Sequence, residues 1–151
     1  PSEYLSIAAT RAIKALEKKA KKGFFLMIES AIIDGYGHNN DSEGMKLEMY
    51  DFNNTLMLMI DYVNKNPGTL LVVTADHETG GTGIAYNQHE IGKKSKVQLN
   101  FSTKGHTGTV VPVFAYGTGA EYFSGVMKNT DIPKRIELLM KNDRHTRKNK
   151  L

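Results

Sequence analysis

The sequence predicts a layered α/β fold, with helices packed on both faces of a mostly parallel central sheet. Two observations predict it. Three short apolar runs, FFLMI at 24–28, TLLVVTA at 69–75 and VVPVFAYG at 110–117, have the composition of strands covered on both faces. Between and around them lie stretches whose apolar residues recur every three or four positions, the period of an amphipathic helix. Helix and strand patterns that alternate along a chain build layered α/β architectures.

The elements follow in order. Leu5, Ala8, Ala9, Ala12, Ile13 and Leu16 share one helical face, so residues 3–22 are expected to be a helix, stopped by Gly23 in a left-handed C-terminal position. FFLMI is the first buried strand. Met45, Met49, Phe52, Leu56, Ile60 and Val63 then predict a long helix that ends near Asn66-Pro67-Gly68, its methionines serving as core filler. Asp41-Ser42-Glu43 just ahead of it is expected to supply an N-cap, because an Asp or Ser oxygen there accepts an orphan backbone N–H. TLLVVTA is the second core strand and VQLNF at 97–101 an edge strand. VVPVFAYG is the third core strand, with Pro112 at its start. Pro133 in a first turn, then Ile136, Leu139 and Met140, predicts a closing helix. One domain over 1–141 is expected, followed by a basic polar tail at 142–151. No internal repeat or low-complexity linker interrupts it.

Composition narrows the classes of function. A chain of 151 residues can bury a core, and 40% hydrophobic with 24% charged residues is ordinary for a globular protein. The net charge of +4 sits in two clusters, Lys18, Lys19, Lys21 and Lys22 at the end of the first helix and Arg144, Arg147, Lys148 and Lys150 in the tail. Cations at a helix C-terminus offset its dipole. Without interleaved aromatics or a groove-reading helix, these clusters do not point to nucleic acid. No run approaches the ~20 apolar residues that span a bilayer, so no membrane partner is expected. The first 23 residues contain no apolar core of signal-peptide length. There are no cysteines, which excludes disulfides and thiolate metal sites.

The chemistry concentrates in four places: Glu29, then Asp34 and His38 in ESAIIDGYGH, then Asp76 and His77 in TADHETGG, then His106 in KGHTG. Imidazole nitrogen and carboxylate oxygen are the donors zinc takes most readily after thiolate. Each site stands where an apolar run gives way to glycine and small polar residues, or in a Gly-rich loop, and ligands in α/β folds gather at strand ends. Taken singly, each has an ordinary explanation: a carboxylate at a strand end is usually a cap or an ion-pair partner. Their joint placement is what reads as a hydrolytic metal cluster. Gly35 and Gly37 are expected to turn the backbone between Asp34 and His38. Glu78 and Thr79 are candidates to orient metal-bound imidazole, which normally donates its second N–H to a nearby acceptor. Tyr36 is expected to pack over the site. Asp51 reads as a surface or capping residue, and His89 and His145 as surface residues.

FFLMIESAIIDGYGHNND, LLVVTADHETGG and STKGHTGTVVPVFAYGTGAEYFSG resemble three successive signatures of the alkaline phosphatase family, in the family's order and covering about Gly23 to Ile136. The resemblance implies an alkaline-phosphatase-like fold, incomplete here, and a hydrolase of phosphomonoesters that uses two zinc ions and a magnesium. By that resemblance Asp34, His38 and His106 match the three protein ligands of the first zinc. Asp76 and His77 match two ligands of the second, and Glu29 a magnesium ligand. The family's nucleophilic serine, in an Asp-Ser-Ala motif, and its phosphate-binding arginine match nothing in this sequence. Nor do its shared zinc–magnesium aspartate and the threonine of its magnesium site. The resemblance therefore implies a C-terminal portion of a longer phosphatase, with no catalytic nucleophile of its own and no activity alone. Only 24 residues, Thr82 to Gly105, separate Gly81 from His106, where many family members carry a longer segment. A periplasmic or secreted location is also implied, and a homodimer is compatible with it. Two other readings remain at this point: a related phosphomutase or sulfatase-like hydrolase, and a non-enzymatic metal-binding domain. TADHETGG followed by GHTG favours the phosphatase.

Overall fold

The computed structural model describes residues 3–85 and 97–148, and side chains up to residue 141. It contains α1 (Tyr4–Lys19), α2 (Ile32–Asn39), α3 (Ser42–Lys65), β1 (Leu70–Thr74), β2 (Glu78–Thr79), β3 (Gly83–Ala85), β4 (Gln98–Asn100), β5 (His106–Thr107), β6 (Val113–Gly117), a 3-10 turn at Ala120–Phe123 and α4 (Asp131–Lys148). The chain divides into two compact units. One is made of Pro1–Thr10, Met27–Thr55 and His77–Val111. The other is made of Arg11–Leu26, Leu56–Asp76 and Pro112–Leu151.

The first unit buries Ala9 and Met45, with Ser6, Asp51 and Thr55 also buried. Asp51 corrects the expectation of a surface residue. It lies on α3 three residues after Glu48 and four before Thr55, and its backbone carbonyl accepts the Thr55 hydroxyl at 3.1 Å. It falls at helical spacing from the buried Gly44 and Thr55, so the helix turns it to the same covered face. α2 ends at Asn40, which takes the left-handed conformation (φ 56°), and the backbone N–H groups of Asn40 and Asp41 close on the carbonyls of Gly37 and Tyr36. α3 then begins under the side chain of Asp41, whose Oδ1 accepts the N–H groups of Glu43 at 3.1 Å and Gly44 at 3.0 Å. The cap is therefore the aspartate of the Asp41-Ser42 pair. Asp41→Ala is expected to lower stability to urea by about 1 kcal/mol, the usual worth of a helix N-cap, with the helical fold retained. Two small antiparallel pairs complete this unit, β2 with β5 (Glu78↔Thr107, Thr79↔His106) and β3 with β4 (Ile84↔Leu99). The expected edge strand at 97–101 is thus β4.

The second unit buries Ile13, Met59, Val63 and Phe123. Its sheet pairs β1 with β6, antiparallel, from Leu70↔Gly117 to Thr74↔Val113. The Thr74 hydroxyl extends this pairing to the Pro112 carbonyl at 3.1 Å, and Tyr116 Oη donates to Asn64 Oδ1 at 2.7 Å.

Among the described residues the sheet differs from expectation in two respects. The mostly parallel central sheet is not formed among the described residues, where all three ladders are antiparallel pairs. Parallel pairing needs a neighbour running the same way, and FFLMI, the only other strand candidate in the core, forms no ladder. Residues 24–30 still alternate along their length: Phe25, Met27 and Glu29 are exposed and the residues between them half-buried, the period of two of an extended chain. The apolar runs are also not covered on both faces. β1 is half-buried, and Phe114 and Tyr116 of β6 stand exposed. Finally, α4 continues to Lys148, so residues 142–148 of the expected polar tail are helical. His89 and the rest of 86–96 lie outside the described residues, as does the side chain of His145.

Candidate metal centre

The site forms within the first unit, from one turn of helix and one two-residue ladder. Asp34 and His38 are four apart on α2, which puts their side chains one above the other on the same face. The expectation of a turn through Gly35 and Gly37 is corrected accordingly. These glycines sit inside a helix, and Gly37 is buried because a Cβ there would meet the Thr79 side chain at about 3.0 Å. The small residue lets β2 lie close against α2. Tyr36, two positions from each ligand candidate, faces away from them, its ring against Gly44 in the first turn of α3 rather than over the site.

The second half arrives through the hairpin-like pairing of β2 and β5. Gly80 holds the connection at φ +85°, donates its N–H to the Gly105 carbonyl at 2.9 Å and accepts those of Ser102 and Thr103 at 3.0 and 3.1 Å. A side chain at Gly80 would strike the Gly37 carbonyl, so only glycine serves both the φ and the packing. Opposite sides of β2 then do different work. Glu78 accepts the N–H groups of Gly81 (3.1 Å) and Thr82 (2.7 Å) and the hydroxyl of Thr107 (2.5 Å), tying the turn to β5. Thr79 faces the ligand candidates, its hydroxyl 2.5 Å from Asp34 Oδ1 and 3.2 Å from His77 Nδ1.

One oxygen of Asp34 and one ring nitrogen each of His38 and His106 lie within 4.8 Å of one another. His38 Nε2 is 3.4 Å from Asp34 Oδ2, His106 Nε2 3.7 Å from Asp34 Oδ1, and the two Nε2 atoms are 3.2 Å apart. His38 Nδ1 is 2.6 Å from the Lys104 carbonyl, which can only accept. Nδ1 therefore carries a proton, and in the neutral ring the lone pair is on Nε2, facing the other two groups. The His77 and His106 rings stack with centroids 3.7 Å apart at 23°. The Thr79 hydroxyl holds the Asp34 carboxyl below its ordinary range, helped by the neighbouring imidazoles and opposed by partial burial. With side-chain exposures of 40%, 44% and 47%, His38, Asp34 and His106 leave the centre of the group open to an incoming molecule.

Of the other sequence candidates, His77 stacks on the ring of His106. Glu29 is exposed in the irregular segment ahead of α2, and Asp76 is exposed in the bend after β1, in the second unit. Among the described residues, Asp34, His38 and His106 are the only three acidic or imidazole groups that converge. What the residue pattern could not show is the Lys104 carbonyl, since a backbone acceptor has no residue-type signature. The i,i+4 spacing of Asp34 and His38 was the signal for the helix.

The hydrogen bonds to Thr107, Thr82 and Gly81 also hold the Glu78 carboxyl below its ordinary value. A carboxyl depressed in the folded state adds stability above its unfolded value, and that stability is lost as pH falls through the lower, folded one. Glu78→Gln is therefore expected to lower the melting temperature at neutral pH. The gap to the parent should close on acidification below about pH 4, as followed by circular dichroism.

The alkaline phosphatase family model matches residues 3–96 and 85–142 of this chain. Alkaline phosphatase 3 of Bacillus subtilis is 32% identical over 83% of the chain, which spans only 41% of that protein. The alkaline phosphatase of the Antarctic bacterium TAB5 superposes with a TM-score of 0.83 at 37% identity, over 93% of this chain and 42% of its own. A variant of the TAB5 enzyme, solved with Mg bound in its M3 site, superposes equally well (TM-score 0.82). Sequence and fold agree across most of its described length: the chain belongs to the alkaline phosphatase family.

Proposed function

We propose that this chain is the metal-binding portion of a phosphomonoester hydrolase. Asp34, His38 and His106 hold one zinc, Asp76 and His77 contribute to a second, and Glu29 contributes to a magnesium. The observation that carries the reading is the orientation of His38. The Lys104 carbonyl fixes its Nδ1–H, so the Nε2 lone pair faces His106 Nε2 and Asp34. Two imidazole nitrogens at 3.2 Å beside a carboxylate held in its ionised form make a donor set that suits a small cation. Zinc bound there supplies Lewis acidity toward a phosphoryl oxygen and a water of lowered pKa. The protein's own part is to keep three donors preoriented at an open surface. Magnesium is a hard ion that takes oxygen ligands, which the single carboxylate of Glu29 meets only in part.

In this reading residues 1–141 belong to one alkaline-phosphatase-like domain whose layered, mostly parallel sheet is completed by the family's remaining length. The parent protein is periplasmic or secreted, and a homodimer is compatible with this reading. Ser42 opens α3 next to the capping Asp41 and is no nucleophile. Zinc-dependent hydrolysis of an aryl phosphate tests the proposal, measured on this chain and on the protein carrying it at full family length. Background rates are expected from the chain alone, and turnover abolished by His38→Ala from the longer protein. Robust turnover by the chain alone would show that a nucleophile had been overlooked. No zinc-dependent turnover by the longer protein would sink the functional reading.

A further inference from the structure

We propose that Thr79 is a positioning residue that fixes the ring of His77 in its Nδ1–H form and holds Asp34 in place, through one hydroxyl bridging the two. The hydroxyl has a single hydrogen and two lone pairs. Asp34 Oδ1, 2.5 Å away, is an ionised carboxylate oxygen and can only accept, so the hydrogen goes there. The remaining contact, 3.2 Å to His77 Nδ1, is then satisfied when Nδ1–H donates to Oγ1. That leaves His77 Nε2 with its lone pair. The order Nδ1–H → Oγ1–H → Oδ1 gives each hydrogen one acceptor. The reverse order would point a hydrogen away from the carboxylate, the better acceptor.

The bridge is built into the fold. Thr79 pairs with His106 across the β2–β5 ladder, its methyl lies 3.0 Å from where a Cβ on Gly37 would stand, and Glu78 ties down the other side of the strand. His38 receives its tautomer from a backbone carbonyl, whereas His77 receives it from a side chain, so the second can be altered by mutation. The inference rests on the metal-binding reading only for its consequence: a ligand candidate of each zinc is oriented by the same hydroxyl.

The test separates the two. Nitrogen-15 NMR of the histidine rings in the metal-free chain, at a pH where they are neutral, reports the tautomer without any cation present. His77 is expected to be predominantly Nδ1–H in the parent and in Thr79→Ser, and to shift toward the Nε2–H form in Thr79→Val, which keeps the shape and the contact with Gly37. Zinc affinity by chelator competition is expected to fall about 10–100-fold in Thr79→Val, the usual effect of losing a group that orients a metal ligand, and to be kept in Thr79→Ser. An unchanged His77 tautomer in Thr79→Val would overturn the proposal. So would equal loss in the Ser and Val variants, which would assign the role to the methyl. If the tautomer responds as expected but the parent binds no zinc, the positioning role stands and the metal reading falls.

Discussion

Tight zinc binding by this chain is expected to vanish on His38→Ala and on His106→Ala and to survive His77→Ala, with at most about one tightly held ion per chain. Asp34, His38 and His106 form a complete set of three protein donors with an open position, the pattern of a catalytic zinc site. Removing one donor leaves two, and the loss should exceed the ~10–100-fold that follows removal of a group merely orienting a ligand. His77 stacks on His106 without joining the group of three, so its loss should fall at or below the lower end of that range, about tenfold. Isothermal titration with zinc at neutral pH decides this. Two equally tight ions, or binding lost with His77 but indifferent to His106, would mean the donors are divided between the sites differently.

The other large effect concerns folding. Gly117→Ala is expected to destabilise the protein by about 2–5 kcal/mol, enough to shift its urea midpoint markedly. Gly117 closes β6 at φ +97°, paired with Leu70, and the next residue donates its N–H to the Thr69 carbonyl at 2.9 Å. A Cβ there would overlap that same carbonyl and the Val63 side chain. A left-handed backbone costs a residue with a Cβ roughly 1–2 kcal/mol, and forcing extra atoms into a packed site adds typically ~1–3 kcal/mol. Gly125→Ala, also at positive φ but in open space, should lose only the first part. Equal losses at the two positions would show that the overlap at Gly117 relaxes freely.

The ligand candidates were legible because their chemistry is written in residue type: Asp34, His38 and His106 are the kinds of side chain that bind cations, and they recur in short glycine-rich runs. The helices were legible from their period, and α1, α3 and α4 begin within a few residues of where the pattern places them. The local geometry of Asp34 and His38 was not, since Gly35 and Gly37 suggest a turn while the i,i+4 spacing demands a helix. Here packing decided, because the close approach of Thr79 requires glycine at 37 whatever its helix propensity. FFLMI misled for a different reason. An apolar run signals extended chain, but a strand exists only with a partner, and partnership is a long-range property no local pattern contains. Asp51 shows the same limit: burial of a carboxylate on a helix depends on what lies opposite it. The Lys104 carbonyl, invisible to any residue-based argument, fixes the one ring on which the whole geometry turns.

The three converging donors are unequally placed along the chain. Asp34 and His38 share a single helical turn, while His106 lies 68 residues beyond His38 and reaches it through a ladder of only two residue pairs. A cation gripped by all three would therefore act as a crosslink closing a very long loop. Its effect on the unfolded chain grows with the logarithm of that loop's length, as for a disulfide. This chain has no cysteines, so such a clip would be its sole covalent-like closure. Zinc should then raise the melting temperature in proportion to the logarithm of its free concentration, and the ladder between β2 and β5 should be the region whose amide exchange slows most.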